Sequence, residues 1–244
     1  MPRPTLDALI ALALEAGREI MAVRDKGVVA MDKADGSPVT IADQRAEEVI
    51  EAGLARLAPG VPMLGEEAVA GGRTPQLGEI FFCVDPIDGT RDFIAGETGE
   101  FTVNIALVEH GAPVMGVVLA PATGALYAGE PGRALKGLAD ARAARIVEGL
   151  APIAPSRHEG PWRVIASRHS GKNAATDRFM NALGPHERMN ASSSIKFCKL
   201  AEGAADLYPR FGDVSEWDTA AGHAVLLAAG GGVMRHSGAP LTYG

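Results

Sequence analysis

Hydrophobic side chains recur at helical spacing in the first quarter of the chain. Residues 6–23 place apolar side chains three and four positions apart with acidic residues between them, which predicts an amphipathic helix. A second helix is predicted at residues 42–57, with Glu47 on its polar side. Between the two helices, residues 32–40 are charged and rich in turn formers, so we expect a loop that closes over a substrate.

Short apolar runs of strand length follow the second helix. The pattern predicts strands at residues 61–64, 80–84, 101–109, 114–121 and 126–128. The run at residues 80–84 is apolar throughout, which is typical of a strand buried on both faces.

The composition changes after residue 130. Residues 131–161 are richer in Ala, Arg, Gly and Pro, and we interpret them as an irregular boundary inside one compact unit, with halves at residues 1–130 and 131–244. Beyond the boundary the sequence predicts strands at residues 162–167 and 207–210 and helices at 174–183, 195–202 and 219–229. This mixture indicates an α/β (α+β) protein.

The composition excludes some functions. Lys and Arg number 23 against 30 Asp and Glu, a net charge of −7, which argues against a nucleic-acid polymer as partner. Two cysteines, Cys83 and Cys198, are typical of buried thiols in a reducing compartment. We find neither a secretory signal nor an apolar run long enough for a transmembrane segment, so the sequence predicts a cytoplasmic protein.

Two carboxylates stand three residues apart directly after the apolar run. The segment D-P-I-D-G-T at residues 85–90 combines a proline that fixes φ with a glycine that permits unusual conformations. Asp85, the Ile87 carbonyl and Asp88 can therefore converge at one corner, and three such oxygens suit Mg²⁺ or Ca²⁺. A plain Asp-Pro surface turn is the alternative.

Further acidic residues lie at the ends of other elements. Glu66 and Glu67 follow a short strand, and we interpret Glu67 as a solvated loop residue. Asp218 precedes an apolar helix, where it is a candidate N-cap as well as a ligand. Four or five carboxylates in one pocket repel each other strongly unless cations are present.

Three motifs in this order resemble the signatures of the inositol monophosphatase superfamily. They are G-E-E at residues 65–67, D-P-I-D-G-T-R-D-F at 85–93 and W-D-T-A-A-G-H-A-V-L-L-A-A-G-G at 217–231. The resemblance extends from V-T-x-x-D at residues 39–43 to G-A-P-L-T-Y at 238–243. It implies a layered αβαβα sandwich and a Mg²⁺-dependent, lithium-sensitive phosphomonoesterase. The superfamily pattern continues further, so the resemblance also predicts a tail beyond Gly244.

Within the superfamily, residues 192–212 are most similar to the 3′(2′),5′-bisphosphate nucleotidase branch. That branch removes the 3′-phosphate from adenosine 3′,5′-bisphosphate, a by-product of sulfate assimilation, and yields AMP. The resemblance thus implies a small phosphorylated nucleotide as substrate. Relatives in the branch also attach peripherally to the cytoplasmic face of the inner membrane, which the sequence neither supports nor contradicts. The sequence does not set the oligomeric state.

The resemblance assigns ligands for two Mg²⁺ ions. Glu66, Asp85 and the Ile87 carbonyl would hold the first, while Asp85, Asp88 and Asp218 would hold the second.

Two further residues receive catalytic roles from the resemblance. Thr90, together with Glu66, would orient the attacking water. Asp43 matches the acidic residue that helps to bind a third, weaker Mg²⁺ or to activate that water.

Substrate contacts follow from the same resemblance. The reacting phosphate would meet Ile87, Asp88, Gly89, Thr90 and Asp218, with backbone N–H groups offered by Gly89 and Thr90. The second phosphate needs positive charge and hydroxyl donors, for which the candidates are Ser193, Ser194, Lys196 and Arg210. For Lys196 and Arg210, a solvated helix face or a structural ion pair is an equal alternative.

Two other functions stay open. The first is an inositol-1-phosphate, histidinol-phosphate or sugar phosphatase with the same metal site. The second belongs to another class, a catalytically silent sensor of metal and nucleotide, although the presence of Thr90 and of every candidate ligand argues against it.

Overall fold

The computed structural model describes residues 3–33, 36–96, 99–156, 159–167 and 173–244. The elements in chain order are α1 (Leu6–Lys26), β1 (Ala30–Asp32), β2 (Pro38–Thr40), α2 (Ile41–Leu57), β3 (Met63–Gly65), α3 (Glu66–Ala70), β4 (Ile80–Asp88), α4 (Thr90–Ala95), β5 (Thr102–Glu109), β6 (Ala112–Leu119), β7 (Ala125–Glu130), β8 (Arg133–Asp140), β9 (Arg145–Pro152), β10 (Trp162–Ser167), α5 (Ala174–Leu183), β11 (His186–Ala191), α6 (Ile195–Ala201) and α7 (Ala220–Ala228).

A seven-stranded sheet forms the centre of the molecule. Its strand order is β3-β4-β5-β6-β7-β8-β9, so each strand pairs with its neighbour in sequence. The β3–β4 pair is parallel and the other pairs are antiparallel. Residues 81–87 of β4 are buried, which agrees with the prediction of a strand covered on both faces.

Helices cover both faces of this sheet. α1 and α2 pack together on one face, where α1 contacts β5 and β6 and α2 contacts β4. α7 packs on the other face against β5, β6 and β7, and α6 packs against α7. Two hydrophobic clusters fill these two interfaces. The chain is therefore a mixed α+β sandwich, as the sequence predicts.

Small residues let α7 approach the sheet closely. A Cβ atom added at Gly116 on β6 would lie 2.4 Å from the Ala221 carbonyl oxygen, far inside van der Waals contact. A Cβ at Gly129 on β7 would lie 2.7 Å from the Val225 Cα. Because Asp218 lies just before α7, this close packing also sets the position of that carboxylate relative to the sheet.

A smaller sheet lies behind α6. β10 and β11 pair in parallel, and α5 is the crossover that a parallel pair requires. α6 contacts β10. Near the start of the chain, β1 pairs with β2, so the last three residues of the segment expected to be a loop, 38–40, form a strand instead; residues 34–35 of that segment lie outside the described part.

The expectation that residues 131–161 are irregular is wrong. β8 and β9 occupy most of this segment and extend the large sheet past residue 131. β9 is an edge strand whose residues are nearly all exposed, so it lacks the alternation that reveals a half-buried strand.

Within the described ranges, no helix is long and apolar enough to cross a membrane.

Candidate metal centre

Three carboxylates meet where β4 ends beside the segment that leads into α7. One carboxylate oxygen from each of Asp85, Asp88 and Asp218 lies within 4.8 Å of the others. Asp85 is 1% exposed, whereas Asp88 and Asp218 are partly buried and line a cavity. The structure thus joins the two sequence segments that the motifs single out.

The local backbone explains why Asp85 and Asp88 converge. The pairing of β4 with β5 becomes irregular between the two residues, so the strand bulges instead of ending at residue 84 as the sequence suggests. Asp85 Oδ1 accepts a hydrogen bond of 2.9 Å from the Ile87 N–H. Gly89 follows in the left-handed region with φ of 93°, and its Cβ would meet the Glu100 carbonyl oxygen at 3.3 Å. Glycine therefore suits this corner, because it tolerates a positive φ and has no Cβ to crowd the Glu100 carbonyl oxygen.

The three carboxylates repel each other in a dry environment. Burial raises the pKa of Asp85 well above its ordinary value, and the charges of Glu66, Asp88 and Asp218 raise it further. Burial likewise raises the pKa of Asp88, although Lys196 opposes this. The pKa of Asp218 rises to about 7 through burial and the charge of Asp88. Such a set of hard oxygen donors fits a divalent cation, which would remove the repulsion.

Asp43 and Thr90 form a hydrogen-bonded pair beside this cluster. The Thr90 hydroxyl is 3.3 Å from Asp43 Oδ1 and 3.1 Å from the Ile87 carbonyl oxygen. Asp43 Oδ2 accepts hydrogen bonds of 2.7 Å from both the backbone N–H and the hydroxyl of Thr40, a capping box that begins α2. Burial raises the pKa of Asp43 despite these hydrogen bonds.

Glu66 reaches the cluster from the start of α3. Its charge contributes to the raised pKa of Asp85, and its Oε1 accepts a 2.6 Å hydrogen bond from Lys33. Lys33 also donates to Glu67 at 2.7 Å. Burial opposes the charge of Lys33, but these hydrogen bonds raise its pKa. The interpretation of Glu67 as a solvated residue is wrong, because its side chain is 11% exposed and ion-paired.

Glu47 fixes the start of α3. Its carboxylate accepts hydrogen bonds from the backbone N–H groups of Glu67 at 2.8 Å and Ala68 at 2.6 Å. Glu47 is 3% exposed, so its expected place on the polar side of α2 is wrong. Helix spacing alone does not reveal this role, because the partner N–H groups are about twenty residues away in sequence.

The buried Ser194 side chain contacts both of the segments that carry Asp88 and Asp218. Its hydroxyl lies 3.1 Å from Asp88 Oδ2 and 2.9 Å from the Asp218 carbonyl oxygen, and it accepts a hydrogen bond of 2.9 Å from the Asn104 side-chain amide. Ser194 is completely buried, and the residues that line the cavity are Ser192 and Ser193 instead. This position disagrees with the predicted contact of Ser194 with substrate, since its hydroxyl faces two segments of the protein.

The cavity beside the carboxylates has a volume of about 900 Å³. Glu66, Asp88, Gly89, Thr90 and Asp218 line it. The candidate residues Ser193, Lys196 and Arg210 line it as well, so the structure brings these to the same space as the acidic cluster. Asp43, Asp85 and Ile87 lie behind this wall, where they are 1% exposed.

Lys196 is a buried cation in the cavity wall. It is 5% exposed, donates a hydrogen bond to the Ser193 carbonyl and stands 5.4 Å from the centre of the Tyr208 ring. Burial lowers its pKa, which Asp88 opposes. The solvated alternative for Lys196 is therefore wrong. Arg210 is exposed and donates to the Asp213 carbonyl at 2.8 Å.

The buried hydroxyls of Ser192 and Ser193 have no hydrogen-bond partner within the described residues. Both serines line the cavity, and Ser193 has a positive φ of 53°. Buried hydroxyls without partners are uncommon in native proteins, and at a cavity wall they are suited to a polar ligand. The sequence singled out Ser193 but missed Ser192.

The whole chain matches a known protein family in sequence. A profile of the inositol monophosphatase family matches residues 1–244. A protein of Shigella flexneri named 3′(2′),5′-bisphosphate nucleotidase CysQ is 44% identical over 240 residues, which cover 98% of this chain and 93% of that protein.

Comparison of folds gives a consistent result. The crystal structure of CysQ from Bacteroides thetaiotaomicron superimposes with a TM-score of 0.74 and 37% identity, covering 92% of this chain and 86% of the other. The Thermotoga maritima IMPase reaches a TM-score of 0.78 over 97% of this chain and 87% of its own, at 23% identity. The latter likeness concerns the fold alone.

Proposed function

The chain belongs to the inositol monophosphatase family, and from this premise we propose that it is a 3′(2′),5′-bisphosphate nucleotidase. Its reaction is the hydrolysis of the 3′-phosphate of adenosine 3′,5′-bisphosphate to AMP and phosphate. The 44% identity to CysQ over nearly the full length of both chains supports the choice of substrate. The observation that carries the chemistry is the cluster of Asp85, Asp88 and Asp218 beside the Thr90–Asp43 pair.

Two Mg²⁺ ions are the proposed cofactors, with Glu66, Asp85 and the Ile87 carbonyl at one and Asp85, Asp88 and Asp218 at the other. When bound, such ions lower the pKa of water, neutralise phosphate charge and stabilise the leaving oxygen. The crowding of these carboxylates supports this assignment, because their raised pKa values reflect a demand for positive charge.

Thr90 and Asp43 are proposed to orient the attacking water. The Thr90 hydroxyl donates its proton towards Asp43 or the Ile87 carbonyl, which leaves an oxygen lone pair free to accept a hydrogen bond from water. Thr40 holds Asp43 in place through two short hydrogen bonds. The water oxygen bonds to phosphorus as the bond to the ribose 3′-oxygen breaks, and one proton of the water ends on that oxygen as the 3′-hydroxyl of AMP, so no phosphorylated side chain forms.

The second phosphate is proposed to bind at Ser192, Ser193, Lys196 and Arg210. Lys196 and Arg210 supply positive charge in the part of the cavity wall that carries Ser192 and Ser193, and the two unpartnered hydroxyls supply donors. We assign Ser194 a positioning role behind Asp88 instead of a substrate contact. Gly89 and Thr90 line the cavity where the reacting phosphate would meet their backbone N–H groups.

A cytoplasmic location belongs to the same proposal. The two cysteines are both free and buried, as is usual in a reducing compartment. Peripheral attachment to the inner membrane stays a prediction.

Phosphate-release assays and a measurement of nucleotide binding test this function. Phosphate release from adenosine 3′,5′-bisphosphate and from inositol 1-phosphate is measured side by side, with Mg²⁺, with and without millimolar lithium. We expect kcat/KM for the nucleotide to exceed that for inositol 1-phosphate and lithium to suppress both. A preference for inositol 1-phosphate, histidinol phosphate or a sugar phosphate would move the substrate assignment. Tight nucleotide binding without phosphate release would instead favour the silent sensor.

A further inference from the structure

Aromatic rings are concentrated on one part of the cavity wall. Phe, Trp and Tyr make up only 5% of the chain, yet Phe179, Phe197, Tyr208 and Phe211 all line this cavity, and His236 lines it beside them. The metal chemistry and the proposed phosphate contacts use none of these rings. These rings are therefore candidates to contact a part of the ligand other than its phosphates.

Phe211 and His236 form a parallel stack. Their ring centres are 4.6 Å apart and their planes differ by 24°. Phe179 on α5 supports Phe211 from another direction, with ring centres 5.8 Å apart and planes tilted by 53°. Phe211 is half-buried, whereas His236 is exposed, so the stack ends at a ring that faces solvent.

A hydrogen bond fixes the plane of the exposed ring. The His236 Nε2 donates to the Arg210 carbonyl oxygen at 3.1 Å. Arg210 is also the residue whose guanidinium is proposed to meet the second phosphate, so the stack and that cationic group are joined through one residue. The neighbouring Met234 is 70% exposed and lines the same wall, outside the ring stack.

An exposed ring held in a fixed plane contributes little to the fold, because it buries little apolar surface. It does suit a flat, conjugated ligand, since bases stack on aromatic and imidazole rings. The rings of inositol and sugars are saturated and have no such face. The stack therefore matches the base of a nucleotide and no part of inositol 1-phosphate or a sugar phosphate, and among the alternative substrates the imidazole of histidinol phosphate is the one other flat, conjugated ring.

We propose that the Phe211–His236 stack is the platform on which the purine base of the substrate stacks. This inference rests on the proposed function, since it concerns the base of a nucleotide held in the same cavity. The platform selects nucleotides over base-free phosphate esters, while the acidic cluster acts on any phosphate presented to it.

The test uses 1,N6-ethenoadenosine 5′-phosphate, a fluorescent analogue of the product that has no 3′-phosphate to lose. Stacking on an aromatic ring quenches its fluorescence, so titration with full-length protein in Mg²⁺ reports the platform directly. The variants are Phe211→Leu and His236→Ala, with His236→Phe as the variant that keeps a ring. Met234→Ala is the matched control, because it removes an exposed side chain from the same wall without removing a ring. Thermal unfolding verifies that each variant is folded.

We expect wild-type protein, His236→Phe and Met234→Ala to quench the probe. Phe211→Leu and His236→Ala should quench weakly and bind it about tenfold less tightly, as expected for loss of one base-stacking contact. Their kcat/KM should fall for adenosine 3′,5′-bisphosphate and stay unchanged for inositol 1-phosphate.

Two results would overturn the platform: no quenching by the wild-type protein, or equal binding of the probe by wild type and both ring-removing variants. The proposed reaction is tested separately, by phosphate release from the nucleotide. Quenching that depends on the rings, in a protein that releases no phosphate from the nucleotide, would support the platform and refute the reaction.

Discussion

Two parts of the cavity wall differ in how their polar groups are held. The acidic wall comprises Glu66, Asp88, Thr90 and Asp218, and each of these side chains has a protein partner. The recognition wall comprises Ser193, Lys196, Arg210, Phe211 and His236. There, the Ser193 hydroxyl has no partner within the described residues, and Arg210 and His236 are exposed.

This difference separates chemistry from recognition. Fixed carboxylates keep a constant geometry, which a reaction that depends on the position of charge requires. The unpartnered Ser193 hydroxyl and the exposed side chains of Arg210 and His236 remain available for contact with a ligand. The acidic wall should therefore govern kcat and metal affinity, whereas the recognition wall should govern KM and substrate choice.

Asp88→Asn should give the largest effect, a loss of activity greater than the roughly 10²–10³-fold that follows removal of one stabilising group. It should also make the metal-free protein more stable, because one of three mutually repelling carboxylates becomes neutral. Steady-state kinetics and thermal unfolding without metal measure the two effects. Retained activity would refute the role of the acidic wall.

Thr90→Val should lower kcat by about 10²–10³-fold with little change in KM, a size that is typical for loss of a group that orients a proton transfer. Valine keeps the shape but removes the hydroxyl that contacts Asp43 and the Ile87 carbonyl. Thr90→Ser restores the hydroxyl and should restore much of kcat. Equal impairment by both variants would indicate that the hydroxyl is not the important feature.

Ser194→Ala should weaken Mg²⁺ binding by about 10–100-fold, as is usual when a group that orients a metal ligand is removed. The cause is the loss of hydrogen bonds to Asp88 and to the Asp218 carbonyl. The Mg²⁺ dependence of kcat and metal binding by calorimetry measure it. Ser193→Ala is the matched control, and it should raise KM without altering metal affinity.

The metal-free protein should lose stability as the pH rises from 6 to 8. A carboxyl whose folded pKa exceeds its unfolded value stabilises the fold below the unfolded value, and this contribution is lost as the pH rises through the folded value. With a folded pKa of about 7 for Asp218, the loss between pH 6 and 8 is on the order of 1 kcal/mol from this group. Denaturant unfolding measures it, and Mg²⁺ should stabilise the protein more at pH 8 than at pH 6. Metal-free stability that rises over this range would contradict the prediction.

Arg210→Gln should have the smallest effect, a rise in KM for adenosine 3′,5′-bisphosphate of about tenfold or less, since exposed charged contacts are weak. Its guanidinium is exposed and donates to the backbone carbonyls of Gly212 and Asp213. The kcat value and the Mg²⁺ dependence should not change. A large fall in kcat would contradict the claim that the recognition wall governs KM and not kcat.

The sequence predicts the acidic wall better than the recognition wall for a physical reason. Residues 85–90 are contiguous, so a proline, a glycine and two carboxylates determine the local geometry together. The hydrogen bond from Asn104 to Ser194 joins residues that are ninety positions apart in the sequence. It depends on how β5 packs against the start of α6, which no local sequence pattern encodes. The contacts of Lys33 with Glu66 and Glu67 are equally remote.

The fold shows the same limit. The helices predicted at residues 6–23, 42–57, 174–183, 195–202 and 219–229 lie close to the observed bounds of α1, α2, α5, α6 and α7, whereas α3, α4 and β11 have no counterpart among the predictions. The strand predicted at residues 207–210 is wrong, because Leu207 forms an isolated bridge to Val164 and the next three residues are irregular. β9 has exposed residues on both faces, so its position at the edge of the sheet follows from pairing with β8 and leaves no hydrophobic signal. The stack of Phe211 on His236 likewise joins residues from two separate loops.

The most direct test of the acidic cluster is a crystal structure with Mn²⁺, which replaces Mg²⁺ and can be located by its anomalous scattering. We expect one peak bounded by Asp85, Asp88 and Asp218 and a second bounded by Glu66, Asp85 and the Ile87 carbonyl. The first peak should disappear in Asp88→Asn crystals grown under the same conditions. Wild-type crystals with no Mn²⁺ at these carboxylates, under conditions in which the enzyme is active, would contradict the account.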